Sequence, residues 1–284
     1  RAARLPGPDK CEAASLQSAH TEHAAPVLPQ KRYSIVLVNY KTRRITAVCL
    51  ELIRQHLDLA EVDVLVVDND SDDDSLAYLR TLDWIRLVER RTAAPEKGFE
   101  AHGRALDLAL GHVRTRAVVL FHTDTFLHDP RIIEVMLARL EPGVAAVGTT
   151  EQVNRPWYSA AWRVARRGPR YIYQRAMLKL GLRELQARPW RERHLKSFCS
   201  VWDAEVIRNE GLQFALGILN PGYVMQDELE VRGYRFVRLR PSWVFRHLDH
   251  VQSGTVVEMG RHVGNTRRTG QYEKLMERFD TFDS

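Results

Sequence analysis

From Tyr33 to Gly148 one pattern recurs: a short unbroken apolar run, a polar break, then apolar residues at helical spacing. An apolar run without polar alternation suits a strand buried on both faces, and parallel sheets covered by helices provide that burial. Ser34-Ile-Val-Leu-Val-Asn-Tyr40 is the first such run, with Thr42 as candidate cap of a helix carrying Ile45, Val48, Cys49, Leu52 and Ile53. Val62-Asp-Val-Leu-Val-Val-Asp68, Ile85–Val88, Ala117–Phe121 and Val144–Gly148 are the next four strands. Helices are expected from about Ser75, over Phe99–Val113, and after Asp129-Pro130, where Asp caps and Pro opens the first turn. Strands returning every 23–32 residues with a helix between them predict a doubly wound α/β unit up to about residue 150.

Five segments follow. Residues 1–31 are rich in Ala, Pro, Ser and charge and read as a flexible arm. Residues 32–150 carry the α/β pattern, 151–196 form a basic aromatic-rich insertion, 197–255 a second half, and 256–284 a tail with a helix near Tyr272–Phe279. Within the insertion, helices are expected at Trp162–Arg167 and Tyr171–Leu182. Beyond it the pattern predicts a strand over Phe198–Val206, a short helix over Gln226–Gly233, and strands at Phe236–Leu239 and Trp243–Phe245.

Composition narrows the function classes. With 44% hydrophobic and 27% charged residues in 284, the chain is neither disordered nor fibrous. Three widely spaced cysteines, Cys11, Cys49 and Cys199, exclude a disulfide framework and a zinc ribbon, and point to a reducing, cytoplasmic compartment. No apolar run approaches the ~20 residues of a membrane span. Residue 1 is Arg rather than Met, which leaves room for an upstream signal or anchor. The net charge of +6 is unevenly held: Arg155 to Lys196 carries twelve Lys/Arg against Glu184 and Glu192, so the remainder of the chain is about −4.

In open α/β sheets ligands bind beyond the carboxyl ends of the strands. The second strand ends in Asp68-Asn-Asp-Ser-Asp-Asp-Asp-Ser75; Asp72 to Ser75 read as turn and cap chemistry, whereas Asp68, at the edge of a buried run, can accept from a ribose or a base. Neither GxGxxG nor GxxxxGK[ST] is present, so a bound diphosphate would need a divalent cation instead. His122 and Asp124, two apart at the end of the fourth strand, read by themselves either as turn chemistry or as a nitrogen and an oxygen ligand suited to a borderline metal.

These stretches together resemble the family-2 glycosyltransferases of the GT-A fold. The resemblance rests on Ser34–Tyr40, on Val66-Val-Asp-Asn-Asp-Ser-Asp-Asp-Asp-Ser75, on Lys97-Gly-Phe99 and on His122-Thr-Asp124, with Met225-Gln-Asp-Glu-Leu-Glu230 and Gly233-Tyr-Arg-Phe236 in the second half. It implies the GT-A nucleotide-diphospho-sugar transferase fold and inverting transfer of a sugar to a hydroxyl acceptor, a glycan, a glycolipid or another polysaccharide precursor. It further implies that Asn39, Asp68, Asn69, Lys97 and Asp124 bind the donor, that Asp124, His122 and His247 hold Mn²⁺ or Mg²⁺ (with His250 a weaker candidate), and that Asp227, or else Glu228, is the catalytic base. The chain departs from the family pattern at Asp74 for Gly, Glu96 for Asn, and His122 for the first Asp of the DxD motif. As a reading of the residues alone, Asp227 and Glu230 also fit a capping box.

The basic segment interleaves Trp157, Tyr158, Trp162, Tyr171, Tyr173 and Trp190 with its cations. A solvated insertion, a peripheral contact with anionic membrane or a lipid-linked acceptor, and nucleic-acid binding are the three readings, the last without any supporting signature. The contrasting function class is a non-catalytic α/β module that docks on nucleic acid or membrane through 155–196.

Overall fold

A computed structural model of the chain describes residues 31–94, 96, 98–181, 192–216, 220–251, 257–258, 270, 272–274 and 276–277, without the side chains of Trp157 and Ala160. The expected arm, Lys97, Trp190 and most of the tail lie outside the described residues.

The elements run β1 (Tyr33–Asn39), α1 (Arg43–His56), β2 (Val62–Asn69), α2 (Asp74–Leu79), β3 (Arg86–Arg90), α3 (Gly98–His112), β4 (Ala117–Phe121), β5 (Thr125–Leu127), α4 (Arg131–Ala138), β6 (Val144–Gly148), α5 (Trp157–Lys179), β7 (Cys199–Asp203), α6 (Ala204–Asn209), α7 (Tyr223–Val231), β8 (Arg235–Arg238), α8 (Pro241–Val244) and β9 (Leu248–His250). Seven strands form one sheet in the order β3-β2-β1-β4-β7-β6-β8, and β5 pairs separately with β9. The first four strands are parallel, β7 runs antiparallel to both β4 and β6, and β8 is parallel to β6. The two halves of the chain therefore share one sheet, because β7 fits between β4 and β6.

The apolar runs work as a two-faced core. Ile35 and Leu37 of β1, Val64 and Val66 of β2 and Val119 and Phe121 of β4 pack on one face with α1 and α4. Their neighbours Val36, Leu65, Val67, Val118 and Leu120 pack on the other with α3, α6 and α7. A period of two with both sets apolar is the signature of a sheet covered on each side. On α1 the expected stripe of Ile45, Val48, Cys49, Leu52 and Ile53 is buried.

Several expectations are corrected. Trp243 to Phe245 is not a strand: Pro241 opens the short helix α8, since its fixed φ and missing N–H suit a first helical turn. The strand at Cys199 stops at Asp203, whose carboxylate caps α6 by accepting from the N–H groups of Glu205 and Val206. Among the described residues of the insertion a single helix, α5, runs through Pro169 where the sequence predicts two separate helices. Ala165, whose carbonyl loses its helical partner to Pro169, is exposed, so water can take that role. Thr42 precedes α1 but does not cap it; its hydroxyl donates to Asn39 Oδ1 at 3.2 Å. The carboxylate of Glu258 caps α1 instead, accepting from the N–H groups of Arg44 at 2.9 Å and Ile45 at 3.2 Å.

Candidate active site

Each of β1 to β4 ends on the same side of the sheet, and a cavity of about 890 Å³ opens there. Val38 and Tyr40 come from the end of β1, Asn69 and Asp70 from β2, Arg90 and Thr92 from β3, and His122 to Asp124 from β4. The first turns of α3 close one side with Phe99 and His102, while Lys196, Ser197, Tyr223 and His250 come from the second half. This is the position at which parallel α/β sheets receive ligands.

The turn after β2 is set by its acids. Asp70 and Asp72 adopt φ of +62° and +49°, a left-handed conformation that Asp tolerates better than most residues. Asp73 caps α2, its Oδ1 accepting from the Ser75 N–H at 3.1 Å. Asp68, by contrast, points beneath the cavity. It is 1% exposed and accepts from Asn39 Nδ2 at 2.9 Å and from the Ser71 N–H at 3.2 Å. Asn39, fully buried, also donates to Ser75 Oγ at 2.8 Å and accepts from Thr46 Oγ1 at 3.0 Å. Of the expected donor-binding residues, then, Asn39 and Asp68 brace the floor, whereas Asn69 and Asp124 line the cavity. Asn69 Oδ1 is held by Arg90 at 2.7 Å, and Arg90 forks onto Glu96 at 2.6 Å. The sequence reading missed Asp70, Arg90 and His102; nothing in the spacing separates Asp70 from the capping acids beside it.

The metal-capable group is His122, Asp124 and His250, whose ligand atoms all lie within 4.8 Å of one another. The arrangement follows from strand pairing. β5 and β9 are antiparallel with Thr125 opposite His250, and the Val251 N–H donates to the Asp124 carbonyl at 2.9 Å. His250 Nε2 thus lies 3.3 Å from Asp124 Oδ1, while its Nδ1 is 2.9 Å from the Gln152 carbonyl. A proton on Nδ1 shared with that carbonyl leaves Nε2 as a lone pair, the usual orientation of a ligating histidine. His122 Nε2 meets Ser197 Oγ at 2.9 Å and its ring stands edge-on to His102 at 5.2 Å. Burial, reinforced by the neighbouring His102 and His250 and opposed by Asp124, pushes His122 down to about 3; burial likewise pushes His102 to about 4. Both rings are therefore neutral at physiological pH, as a nitrogen ligand must be. Two imidazoles and one carboxylate form a mixed N/O donor set that fits Mn²⁺ or another borderline divalent ion.

His247 is not in this group. Its Nδ1 lies 3.2 Å from Asp129 Oδ2 and its ring packs edge-on against Trp243 at 4.4 Å, because it precedes β9 and faces the start of α4. Asp227 lies within α7 rather than at its start, which removes the capping-box reading: Gly222, with φ +78°, precedes the helix. The Asp227 carboxylate takes Arg193 Nη2 at 2.5 Å and His194 Nε2 at 2.7 Å, and is partly exposed beyond the cavity lining. One turn earlier on the same helix, Tyr223 lines the cavity and stacks on His194 with centroids 4.4 Å apart. Glu228 is exposed on the outside of α7.

A family model described as glycosyltransferase-like family 2 matches residues 29–265. The chain belongs to this family. Among solved structures, it is similar to the mannosyltransferase PcManGT from Pyrobaculum calidifontis in complex with GDP-Man and Mn²⁺, at 17% identity over 76% of this chain and 56% of that one, with a TM-score of 0.52. Two further likenesses are S. aureus TarS 1–349 with UDP-GlcNAc (12% identity, 73% and 56% covered, TM-score 0.47) and Mycobacterium tuberculosis glucosyl-3-phosphoglycerate synthase with Mn²⁺, UDP and glucosyl-3-phosphoglycerate (19%, 84% and 80%, TM-score 0.47). The chain spans little more than half the length of the first of these structures. No curated protein matches it. Sheet order, the family match and the likeness to PcManGT agree on the GT-A fold, with the mostly parallel sheet and flanking helices expected of it.

Proposed function

We propose that this family-2 member transfers a sugar from a nucleotide-diphosphate donor to a hydroxyl acceptor, with inversion. The observation that carries the reading is the His122–Asp124–His250 group on the wall of a strand-end cavity large enough for a nucleotide sugar. A bound Mn²⁺ or Mg²⁺ would supply charge neutralisation to the departing diphosphate, and the donor set of neutral imidazoles and one carboxylate suits it. Lys196, whose ammonium stands 4.8 Å over the Tyr223 ring on the cavity wall, adds a second positive group to the same end. Asn69 and Asp70, at the opposite wall, offer acceptors and donors to a nucleoside, and the buried Asn39–Asp68 pair holds their turn in place.

Asp227 is the proposed base that takes the proton from the acceptor hydroxyl as the new glycosidic bond forms. What supports this is the run Tyr223–His194–Asp227 leading out from the cavity wall, and a partly exposed carboxylate whose contacts with Arg193 and His194 both fall on Oδ1, which leaves Oδ2 for an incoming acceptor. The acceptor class, a glycan, glycolipid or other polysaccharide precursor, follows from the family reading alone. General-base catalysis contributes typically 10²–10⁴-fold, so Asp227→Asn should bind nucleotide diphosphate as wild type does and lose transfer by that factor. Titration calorimetry of UDP and GDP with and without Mn²⁺, with a donor-hydrolysis assay, tests the whole reading. No binding of either nucleotide under any metal condition would defeat it, and near wild-type transfer by Asp227→Asn would remove Asp227 from the role.

A further inference from the structure

Among the described residues, helix α5 and its C-terminal cap Leu180 carry the longest series of exposed large apolar side chains. Tyr158, Trp162, Ile172, Tyr173 and Leu180 are 62, 71, 70, 62 and 66% exposed. With Ala165, Pro169 and Ala176, also exposed, they recur at intervals of three and four and form a continuous stripe along the helix. The stripe is not the helix's packing face: Gln174 is buried, and the cations near it are matched, Arg163 with Glu151 and Arg167 with Glu192 at 3.0 Å. On the outer side Arg166, Arg170, Arg175 and Lys179 are exposed and have no acidic partner among the described residues. The helix contains six cations and no acid.

We infer that α5 lies on an anionic lipid bilayer, its apolar stripe in the headgroup boundary and its outer cations on lipid phosphates. Three physical points choose this occupant. Aromatic rings with aliphatic Ile172 and Leu180 on one stripe suit the acyl boundary, whereas nucleic acid would use the rings as stacking platforms and leave the aliphatic groups without a partner. A second copy of the chain paired through the same stripe would oppose two acid-free helices, each bearing the same outward cations. Long arginine and lysine side chains flanking an apolar stripe can keep their charges at the headgroups while their stems cover hydrocarbon. No helix among the described residues is long and apolar enough to cross a membrane, so the contact is peripheral. The segment begins and ends at the cavity: Gln152 before α5 and Lys196 after it both line the wall.

Co-sedimentation of the full chain with vesicles tests this, using phosphatidylcholine alone and phosphatidylcholine mixed with phosphatidylglycerol. Binding is expected to the anionic vesicles only and to weaken as salt is raised. Each outer arginine should contribute on the order of fivefold, so Arg166→Gln with Arg170→Gln should weaken binding by about 25-fold. Trp162→Ser should weaken it further while leaving the melting temperature and nucleotide binding unchanged, because that side chain is 71% exposed. Equal binding to neutral and anionic vesicles, no binding, or binding undiminished in both variants would overturn the inference. So would self-association or RNA binding that Trp162→Ser abolishes in a protein that ignores anionic vesicles.

Discussion

Replacing Asn39 by Ala separates a ligand contact from a structural brace. The Asn39 amide has two hydrogens, spread over Asp68 Oδ1 at 2.9 Å, Ser75 Oγ at 2.8 Å and Ser71 Oγ at 3.1 Å, and its carbonyl accepts from Thr42 and Thr46 at 3.2 and 3.0 Å. The bond to the buried carboxylate is worth roughly 1.5–3 kcal/mol, as a hydrogen bond to a charged group. The neutral bonds would contribute about 1 kcal/mol each, but their partners keep alternatives, which lowers the sum. Ser71 Oγ retains the Lys41 N–H, Ser75 Oγ retains Asp73, and the two threonine hydroxyls lie 3.1 Å apart. The net loss is then about 4 kcal/mol, and at roughly 2–4 °C per kcal/mol for a domain of this size the melting temperature should fall by about 8–16 °C. Thermal unfolding followed by circular dichroism measures the shift, and calorimetry with UDP and GDP on the still-folded variant measures the site. A fall of less than about 2 °C, accompanied by a large loss of nucleotide affinity, would refute the brace and make Asn39 a ligand contact.

Three further outcomes are expected. His250→Ala should abolish Mn²⁺-dependent nucleotide binding, while His247→Ala should leave it intact; the reverse pattern in calorimetry would contradict the His122–Asp124–His250 grouping. His102 and His122 are held near 4 and 3 in the fold against 6.5 when unfolded, so below pH 6.5 the unfolded chain binds more protons. Their contribution is complete above pH 6.5 and is lost as the pH falls from 6.5 toward 4 for His102 and toward 3 for His122; melting temperature of metal-free protein should drop over that window, and His102→Gln should flatten the slope. Glu258→Ala removes the acceptor for two N–H groups at the start of α1 and should cost about 1–2 kcal/mol, read as a lower midpoint in urea with unchanged slope.

The alternation of apolar runs and helical stripes is a local property, and local properties are what a sequence displays. β1, β2, β4 and β6 are legible because burial on both faces excludes polar residues from their middles, and the cap at Asp73 because its partner is two residues away. The strand-end position of Asn69, His122 and Asp124 follows from the same runs. The stretch from Arg155 to Lys196 is legible as basic and aromatic, but which of its residues face outward is not.

What only the tertiary structure decided are pairings across long separations. Thr42 and Glu258 were equally able to cap α1 by chemistry; a carboxylate more than two hundred residues away wins because the chain brings it to the helix start and leaves the Thr42 hydroxyl turned toward Asn39. His247 and His250 stand three residues apart after the same predicted strand, and the resemblance puts His247 first. The antiparallel pairing of β5 with β9 sets His250 opposite Thr125 and sends His247 to Asp129, since one strand register fixes which side each residue faces. Asp68 and Asp70 likewise differ only in fold: the first turns down to Asn39, and the left-handed backbone at the second turns it up to the cavity wall. Sequence determined the sheet, its coverings and the end of it where chemistry belongs. Register and loop closure determined which side chains meet there, because those depend on partners that no local stretch contains.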